Sequence, residues 1–582
     1  GNNAAAVVNV PIGNQAALRV SGFWRKDDGY VDSIGNNPLV NPVTGEDIGS
    51  TLVRENINDR ESYGGRASLL FQPSDTVSVR LTAFAQNLNS DGSGTFEVDP
   101  ETLDSIYDGP VQSLYQREPT KVKYRVYSGT VDWDLGFANL LSSTSYSTFS
   151  ERFQSDFGFA LAPTVALLAF LGPDSPIVIT DESITRPLGV VARQTTATDK
   201  LTQEFRLSSP NNETFEWLVG AFYTHEDSGI DPQNIFATEF GTDTIAPDVA
   251  QLAEVFLRSK YKEYAAFANA TWHITPRLDL TAGGRIAHNK QEADQRLSGP
   301  LVGGVDELFD LKSKETVFTY SIAPRYELND HTSIYARLAT GYRPGGPNVV
   351  PPNLDIPSTY DADRLTSWEI GLKTEAPDRL WSFEATAYRL NWKDIQLFAF
   401  EPTLGIGFNA NGERARVNGV EVSGALRPIR GLTLAANGAY TDSKLLDDAP
   451  TPEFTGGFAR DPLPWSPKWS GALHGDYEFP IQSWEGFVGG SISYVGKRAT
   501  NLDELDEDGE VVRVPSYTEV DVRAGVNIDR WTIQAFVRNL FDAGGITSAT
   551  GFDGTGFPNG AVGIAVVRPR TIGLTVTTAF GD

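Results

Sequence analysis

The sequence predicts an all-β fold: a large transmembrane antiparallel β-barrel that takes up the whole of residues 1–582. Three observations lead there. Apolar and polar side chains alternate with a period of two from one end of the chain to the other, as in a strand whose faces meet different surroundings. The strand-like segments number about 21, many of roughly 10 to 16 residues, against about 5 to 6 in an ordinary strand and about 9 to 11 for a tilted strand crossing a bilayer. Tight turns alternate strictly with long polar loops, so one end of the structure is trimmed and the other ornate.

The alternation can be followed along the chain. Between Glu263 and Ile274 one face carries Tyr264, Ala266, Ala268, Ala270, Trp272 and Ile274, and the other Glu263, Phe267, Asn269, Thr271 and His273. From Trp469, Gly471, Leu473, Gly475, Tyr477 and Phe479 oppose Ser470, Ala472, His474, Asp476 and Glu478. Val520, Val522, Ala524 and Val526 oppose Glu519, Asp521, Arg523 and Gly525. The last segment, RTIGLTVTTAF from Arg570, sets Ile572, Leu574, Val576, Thr578 and Phe580 against Thr571, Gly573, Thr575, Thr577 and Ala579. In hydrocarbon every backbone N–H and C=O needs a partner, so a spanning sheet must close on itself, its apolar parity toward lipid and its polar parity toward a lumen. Trp272, Tyr388, Trp392, Tyr517, Trp531 and Phe580, near strand ends, fit interfacial girdles.

Turn signals stand at Pro73, Asp134, Pro210, Thr275, Asn329, Ala376, Pro428 and Ile528. Long loops are expected over Asp27–Glu61, Asn89–Thr120, Phe157–Asp199, Gly229–Arg258, Arg343–Asp363 and Ala499–Pro515. Helical periodicity is local, in PDVAQLAEVFLRS from Pro247, and predicts a short loop helix. No run of about 18 apolar residues occurs, so no transmembrane helix is expected; TVALLAFLG from Thr164 is too short. GNNAAAVVNVPIG at the start has no basic region and no sustained apolar core, and reads as a chain cut from something longer.

Composition narrows the chemistry. Forty-eight basic against 75 acidic residues leave a net charge of -27, which argues against a large nucleic-acid or anionic-lipid footprint. The densest acidic run, DELDEDGE from Asp503, reads as a solvated loop ahead of a divalent-cation site. Cysteine is absent, which removes disulfides, thiolate zinc sites and cysteine nucleophiles.

Several stretches carry a family likeness. SIYARLATGYRPGGPN (Ser333 to Asn348) resembles a strand entering an external loop of the TonB-dependent outer-membrane receptors, and Ser367 to Leu397 resembles their middle hairpin. Asn411 to Ser443 is similar to the next hairpin, and VRNLFD (Val537 to Asp542) with RPRTIGLTVTTAF resembles the closing pair. The likeness spans essentially the whole chain. It implies a 22-strand barrel around an N-terminal plug. If Val566–Phe580 is the last strand, Ala16–Lys26 is the third and Ala4–Val10 the remainder of the second, so strand 1 and the plug are missing from this sequence. Gly581 and Asp582 follow the final aromatic, whereas family members commonly finish on it.

The resemblance implies TonB-dependent active uptake of a scarce solute, a siderophore–iron complex or another nutrient, across the bacterial outer membrane. Its partners would be outer-membrane lipid, the small-molecule substrate, and TonB with its inner-membrane energising complex acting through the plug; no nucleic acid is involved. A passive porin or structural barrel is the alternative, and a soluble β-rich adhesin the third reading. In GYRPGGPN, Arg343 and Asn348 are the candidate substrate contacts at the barrel mouth, while Pro344 to Pro347 shape the loop exit. The apolar stretch Phe159 to Ile179 would line a site for a hydrophobic solute or pack on the rim.

No enzyme is expected, and no cofactor. His225, with Glu226 and Asp227, is a weak candidate for a divalent ion; His273 and His474 point to the lumen by parity and would hydrogen-bond plug or wall residues. His288 and His331 are read as a strand end and a tight turn, without metal-ligand spacing, so no metal site is expected. The glycine-rich pieces from Gly405 and Gly551 lack a following helix and a Lys-Ser/Thr pair and read as external loops rather than phosphate loops. No serine sits in a nucleophile elbow.

Overall fold

The computed structural model describes residues 1–34, 53–114, 116–158, 188–211, 214–239, 242–247, 249–302, 304–348, 356–401, 406–449, 456–502, 511–551 and 560–580. The period-two segments form one antiparallel sheet of 21 strands. It begins with β1 (Asn2–Ile12), β2 (Ala16–Asp27), β3 (Arg60–Ser74), β4 (Val77–Ser90), β5 (Thr120–Asp134) and β6 (Asn139–Asp156). The five longest strands follow: β7 (Leu188–Ser208), β8 (Phe215–Glu239), β9 (Ala253–Thr275), β10 (Leu278–Gly299) and β11 (Gly304–Asn329), of 21 to 26 residues. Next come β12 (Thr332–Arg343), β13 (Asp363–Glu375), β14 (Trp381–Lys393), β15 (Arg414–Leu426) and β16 (Leu432–Leu445). The sheet ends with β17 (Trp469–Ile481), β18 (Trp484–Val495), β19 (Tyr517–Ile528), β20 (Trp531–Arg538) and β21 (Thr571–Thr578).

Each strand pairs with the next in sequence, and among the described residues no pairing joins β1 to β21. Of the expected turn positions, Pro210, Ala376 and Pro428 fall between consecutive strands, and Pro73, Asp134, Thr275, Asn329 and Ile528 lie in the closing residues of β3, β5, β9, β11 and β19. β21 starts later than the alternation suggested: Val566 belongs to a loop strand, Val562–Val566, which pairs with Ile546–Thr550 and Phe96–Val98.

The outward parity is apolar. Ile572 and Leu574 are 76% and 67% exposed, and Trp272, Trp531 and Phe580 share this outer surface. Pairing propagates one face around the sheet: Val8, Val20, Ala67, Ala83, Tyr127 and Tyr146 are successive partners on it. Three of the aromatics assigned to girdles are elsewhere. Tyr388 and Trp392 occupy the inward parity of β14, opposite to exposed Trp381 and Phe383, and Tyr517 stacks on Arg498. A strand-end position marks height along the barrel; the face is set by parity, and these three have the other parity.

Buried apolar side chains gather at the loop end rather than in the wall. Val190, Ile235, Leu252, Val255 and Leu297 form one cluster. Val31, Phe96, Val98, Val514, Ile546 and Ile564 form a second, built from both ends of the chain. The first cluster explains two corrections. Most of the loop expected over Gly229–Arg258 is strand, because β8 continues to Glu239 and β9 begins at Ala253. The helix expected from Pro247 is not formed, and its AEVFLRS half is the start of β9. Leu252, Ala253 and Val255 bury against Val190, Ile235 and Leu297 as those hairpins extend beyond the membrane zone. A bulge between Ile230 and Gln233 accommodates Pro232, which lacks the N–H a regular ladder needs.

Candidate functional site

The loop after β12 is a built scaffold. Arg343 donates from Nε and Nη2 to Asp363 Oδ2 at 3.0 and 2.5 Å, and from Nη2 to the Gln396 carbonyl at 3.2 Å. Its guanidinium lies 5.8 Å from the centre of the Trp392 ring. The pair is lopsided: Asp363 is 3% exposed while Arg343 is 51% exposed, so part of the guanidinium stays open to solvent. Gln396 Nε2 donates to the Pro344 and Asp361 carbonyls at 2.9 and 3.0 Å. A Cβ on Gly345 would come within 2.2 Å of the Tyr360 carbonyl, so only glycine fits that approach. Burial pushes the Tyr360 phenol above its ordinary value, with Arg343 opposing.

Asn348 is buried in the same scaffold. Its Nδ2 donates to the Pro357 and Asn409 carbonyls at 2.9 and 2.8 Å, and its Oδ1 accepts from Asn409 N at 2.9 Å. This clamps the loop to the ribbon of Gln396–Glu401 and Ile406–Asn411, whose core is Ile356, Ala399, Phe408 and Ala410. The structure thus brings the two candidate contacts onto one loop with different placements: Arg343 at the open edge, Asn348 inside the frame.

Below the loop the inner wall carries a network that motif reading missed. Glu263 is buried and accepts from the Tyr261 and Tyr342 hydroxyls at 2.7 and 3.1 Å and from Arg285 Nη2. The Arg285 guanidinium lies 5.0 Å from the Phe222 ring centre and 5.9 Å from that of Phe267. Asn289, paired with Glu263 across β9 and β10, is buried in the same network and adjoins the Tyr342 hydroxyl. The available signal was parity: Glu263, Arg285 and Asn289 all take the inward face once the alternation is extended toward the loops.

Elsewhere at the loop end, carboxyls and amides tie the loop before β5 to β6 and β7. Glu118 Oε1 accepts from Asp156 N at 3.1 Å, and Asp156 Oδ2 from Gln116 N at 2.9 Å. Burial pushes Glu118 up to about 7, with the Asp156 carboxylate adding to the rise. Gln154 bridges the Arg117 carbonyl and Asp243 at 2.7 and 3.2 Å, and accepts from Arg193 at 2.8 Å. Burial also lowers the Arg54 guanidinium, helped by Arg117 and opposed by Asp243 and Asp91.

The remaining candidates find ordinary partners. His225 lies on the outer face of β8, 3.2 Å from Asp227, in a strand rather than a loop. His273 Nδ1 is 2.6 Å from Asp279 Oδ1, a wall partner that also binds Arg325. His474 lines an inward recess with Asp476, Asp521 and Arg523, and His288 lies mid-strand in β10 rather than at a strand end. Among the described residues no three His, Asp or Glu side chains group in a metal-binding arrangement. The apolar stretch 159–179, the acidic run 503–510 and most of the glycine-rich loop from Gly551 lie outside the described residues.

Comparison with known proteins places this architecture. The family model described as "TonB dependent receptor-like, beta-barrel" matches residues 71–540. The chain belongs to the TonB-dependent receptor β-barrel family. Barrels of this family reside in the bacterial outer membrane and are receptors rather than enzymes. The pesticin receptor of Yersinia enterocolitica is 26% identical over 324 residues, 54% of this chain and 43% of that protein. The Yersinia pestis pesticin receptor matches to the same extent. This chain therefore aligns with less than half the length of these relatives. Among solved structures, the ferric yersiniabactin uptake receptor FyuA of Yersinia pestis has a TM-score of 0.76 at 16% identity, covering 100% of this chain and 78% of that one. The siderophore receptor PiuA of Acinetobacter baumannii has a TM-score of 0.72 at 15% identity, covering 99% and 79%. At such identities these TonB-dependent barrels share the fold with this chain, and the fold alone.

Proposed function

We propose that this barrel serves TonB-dependent active uptake of a scarce solute across the outer membrane, with a siderophore-bound ferric ion the first substrate class to test. The reading rests on one observation above the others, the receptor-barrel match over residues 71–540. The names of the Yersinia and Acinetobacter neighbours support the substrate class. A wall of this many strands encloses a lumen that leaks unless something fills it, which favours a plugged transporter over a passive porin. TonB and its energising complex would act on that plug.

At the mouth, Arg343 is the proposed substrate contact, because its outer edge is open while Asp363 holds it in place. Asn348 contributes by keeping the loop in shape. The test is uptake of radiolabelled iron bound to a panel of siderophores by cells carrying the full-length gene. Uptake should stop on loss of TonB or on addition of a proton uncoupler, and Arg343→Ala should weaken binding about tenfold, the order expected for one charge-assisted contact. Steady open-channel current in planar bilayers, with uptake indifferent to uncoupler, would return the protein to the porins.

A further inference from the structure

The outer face of the long hairpins carries an ordered group of lysines at the level where the aromatic surface ends. On β9, β10 and β11 the even-numbered residues point outward: Tyr264, Ile286, Phe318 and Tyr320 are exposed, while Ala265, Ala287 and Val317 between them are buried. Pairing sets Tyr264, His288 and Thr316 side by side, and His288 Nδ1 lies 2.8 Å from Thr316 Oγ1. One pleat nearer the loops, ~6.7 Å along the strand, Lys262, Lys290 and Lys314 are direct cross-strand partners. The next row is Lys260, Glu292 and Lys312. All five lysines are exposed.

Side chains directly opposite on adjacent strands stand about 4.5–5.5 Å apart at Cβ, and like charges there repel. Two acids lie in these rows. Glu292 is ion-paired with Lys290. Asp227 sits opposite Lys260 on β8 and within 3.2 Å of His225. Among the described residues Lys260, Lys262 and Lys314 make no ion pair. The net charge of -27 disfavours a broad anionic-lipid footprint, but it does not govern a patch where register concentrates cations. An anion with several oxygens, seated across the row, removes the repulsion.

We propose that Lys262, Lys290 and Lys314, flanked by Lys260 and Lys312, bind the phosphate groups of an anionic lipid in the external leaflet. The height fits: an aromatic row marks the membrane–water interface, and lysine stems run along apolar surface while the ammonium reaches headgroup level. The orientation that places these strand ends outside follows from the family and does not depend on what the barrel transports.

The test uses the purified full-length protein in neutral detergent, titrated with a bisphosphorylated glycolipid in mixed micelles and with its dephosphorylated form. Retained lipid is counted by native mass spectrometry, and affinity is measured from fluorescence of a labelled lipid. The phosphorylated form should bind, and the dephosphorylated form should not. Combining Lys262→Gln, Lys290→Gln and Lys314→Gln should weaken binding on the order of 100-fold, about fivefold per lysine. Lys373→Gln, on the inner face beside Glu384, should change nothing. Equal affinity of the triple variant and the parent overturns the proposal, as does full competition by inorganic phosphate at matching concentration, which would make the site one for a free anion. Should the triple variant lose its heat-dependent gel shift, Lys314→Gln alone replaces it. A fivefold loss, together with weakening by salt, then supports the lipid site, and no loss overturns it.

Discussion

Arg568 Nη1 lies 2.6 Å from Asp27 Oδ1, and its Nη2 is 3.2 Å from the Asp28 carbonyl, so the segment leading into β21 is tied to the end of β2. Between these two edges runs a cavity of about 610 Å³ lined by Asn2, Phe23, Trp24, Arg538, Arg568 and Thr571. The loop strands Phe96–Val98 and Val562–Val566 pair, joining the first and last parts of the chain, while among the described residues no pairing joins β1 to β21.

This seam predicts a local effect for Arg568→Ala. The pair is partly exposed, at 39% and 23%, and such pairs contribute about 0–1 kcal/mol. The unfolding midpoint should hardly move, while hydrogen exchange in β1 and β2 should rise several-fold. A lowered midpoint with unchanged exchange in those strands would show that the contact serves the whole barrel instead.

The absence of cysteine lets the lipid face be read residue by residue. Fluorophores attached to single cysteines at Ile572, Leu574 and Val576 should be quenched by lipid-borne quenchers, and cysteines at Thr575 and Thr577 should react with aqueous maleimide. Gly573 is unsuitable, because a Cβ there would come within 2.3 Å of Phe536. Uniform aqueous reaction along the segment would mean that no hydrocarbon touches β21.

Most of the wall was legible because it depends on a local rule. The outward row Ile572, Leu574 and Val576 and the inward row Glu263, Arg285 and Asn289 each follow from period two alone. The loops were not legible for the opposite reason. Asn348 is placed by carbonyls at Pro357 and Asn409, and Arg498 by rings at Trp465 and Tyr517, contacts that no spacing along the chain announces. The AEVFLRS stretch shows tertiary burial against Leu297 overriding a helical period. At Tyr388 and Trp392, residue type suggested a girdle, and the parity of β14 decided otherwise.

Arg498 offers a sharp test of how the loop end is held. It is 6% exposed, its guanidinium lies 5.4 Å from the ring centres of both Trp465 and Tyr517, and it donates to the Gly496, Pro515 and Ile546 carbonyls. Lysine keeps the charge but has neither the planar stack nor the forked donors. Arg498→Lys should therefore cost about 2 kcal/mol locally, read as a roughly 30-fold loss of exchange protection across Ile546–Thr550 with the membrane strands unaffected. Unchanged protection would assign the stacking no part in holding that segment.

Glu118 gives the loop end a pH dependence whose sign can be worked out. Its carboxyl moves from an ordinary 4.5 up to about 7 because it is buried, with Asp156 beside it as a second negative group and hydrogen bonds from Asp156 N and Ser93 opposing the rise. Between those values the folded loop binds a proton that the opened loop does not, so closure weakens as pH rises through this window. The stability contributed is fully present below about 4.5 and lost above about 7, with a magnitude on the order of 3 kcal/mol. A spin label on Arg117→Cys, an exposed neighbour, should be more mobile at pH 8 than at pH 5. Glu118→Gln keeps a neutral side chain at every pH and should hold the label at its low-pH mobility throughout. If the parent protein shows the same mobility at both pH values, or becomes more ordered at pH 8, the carboxyl does not titrate as its burial requires, and the tie between this loop and β6 is independent of its charge.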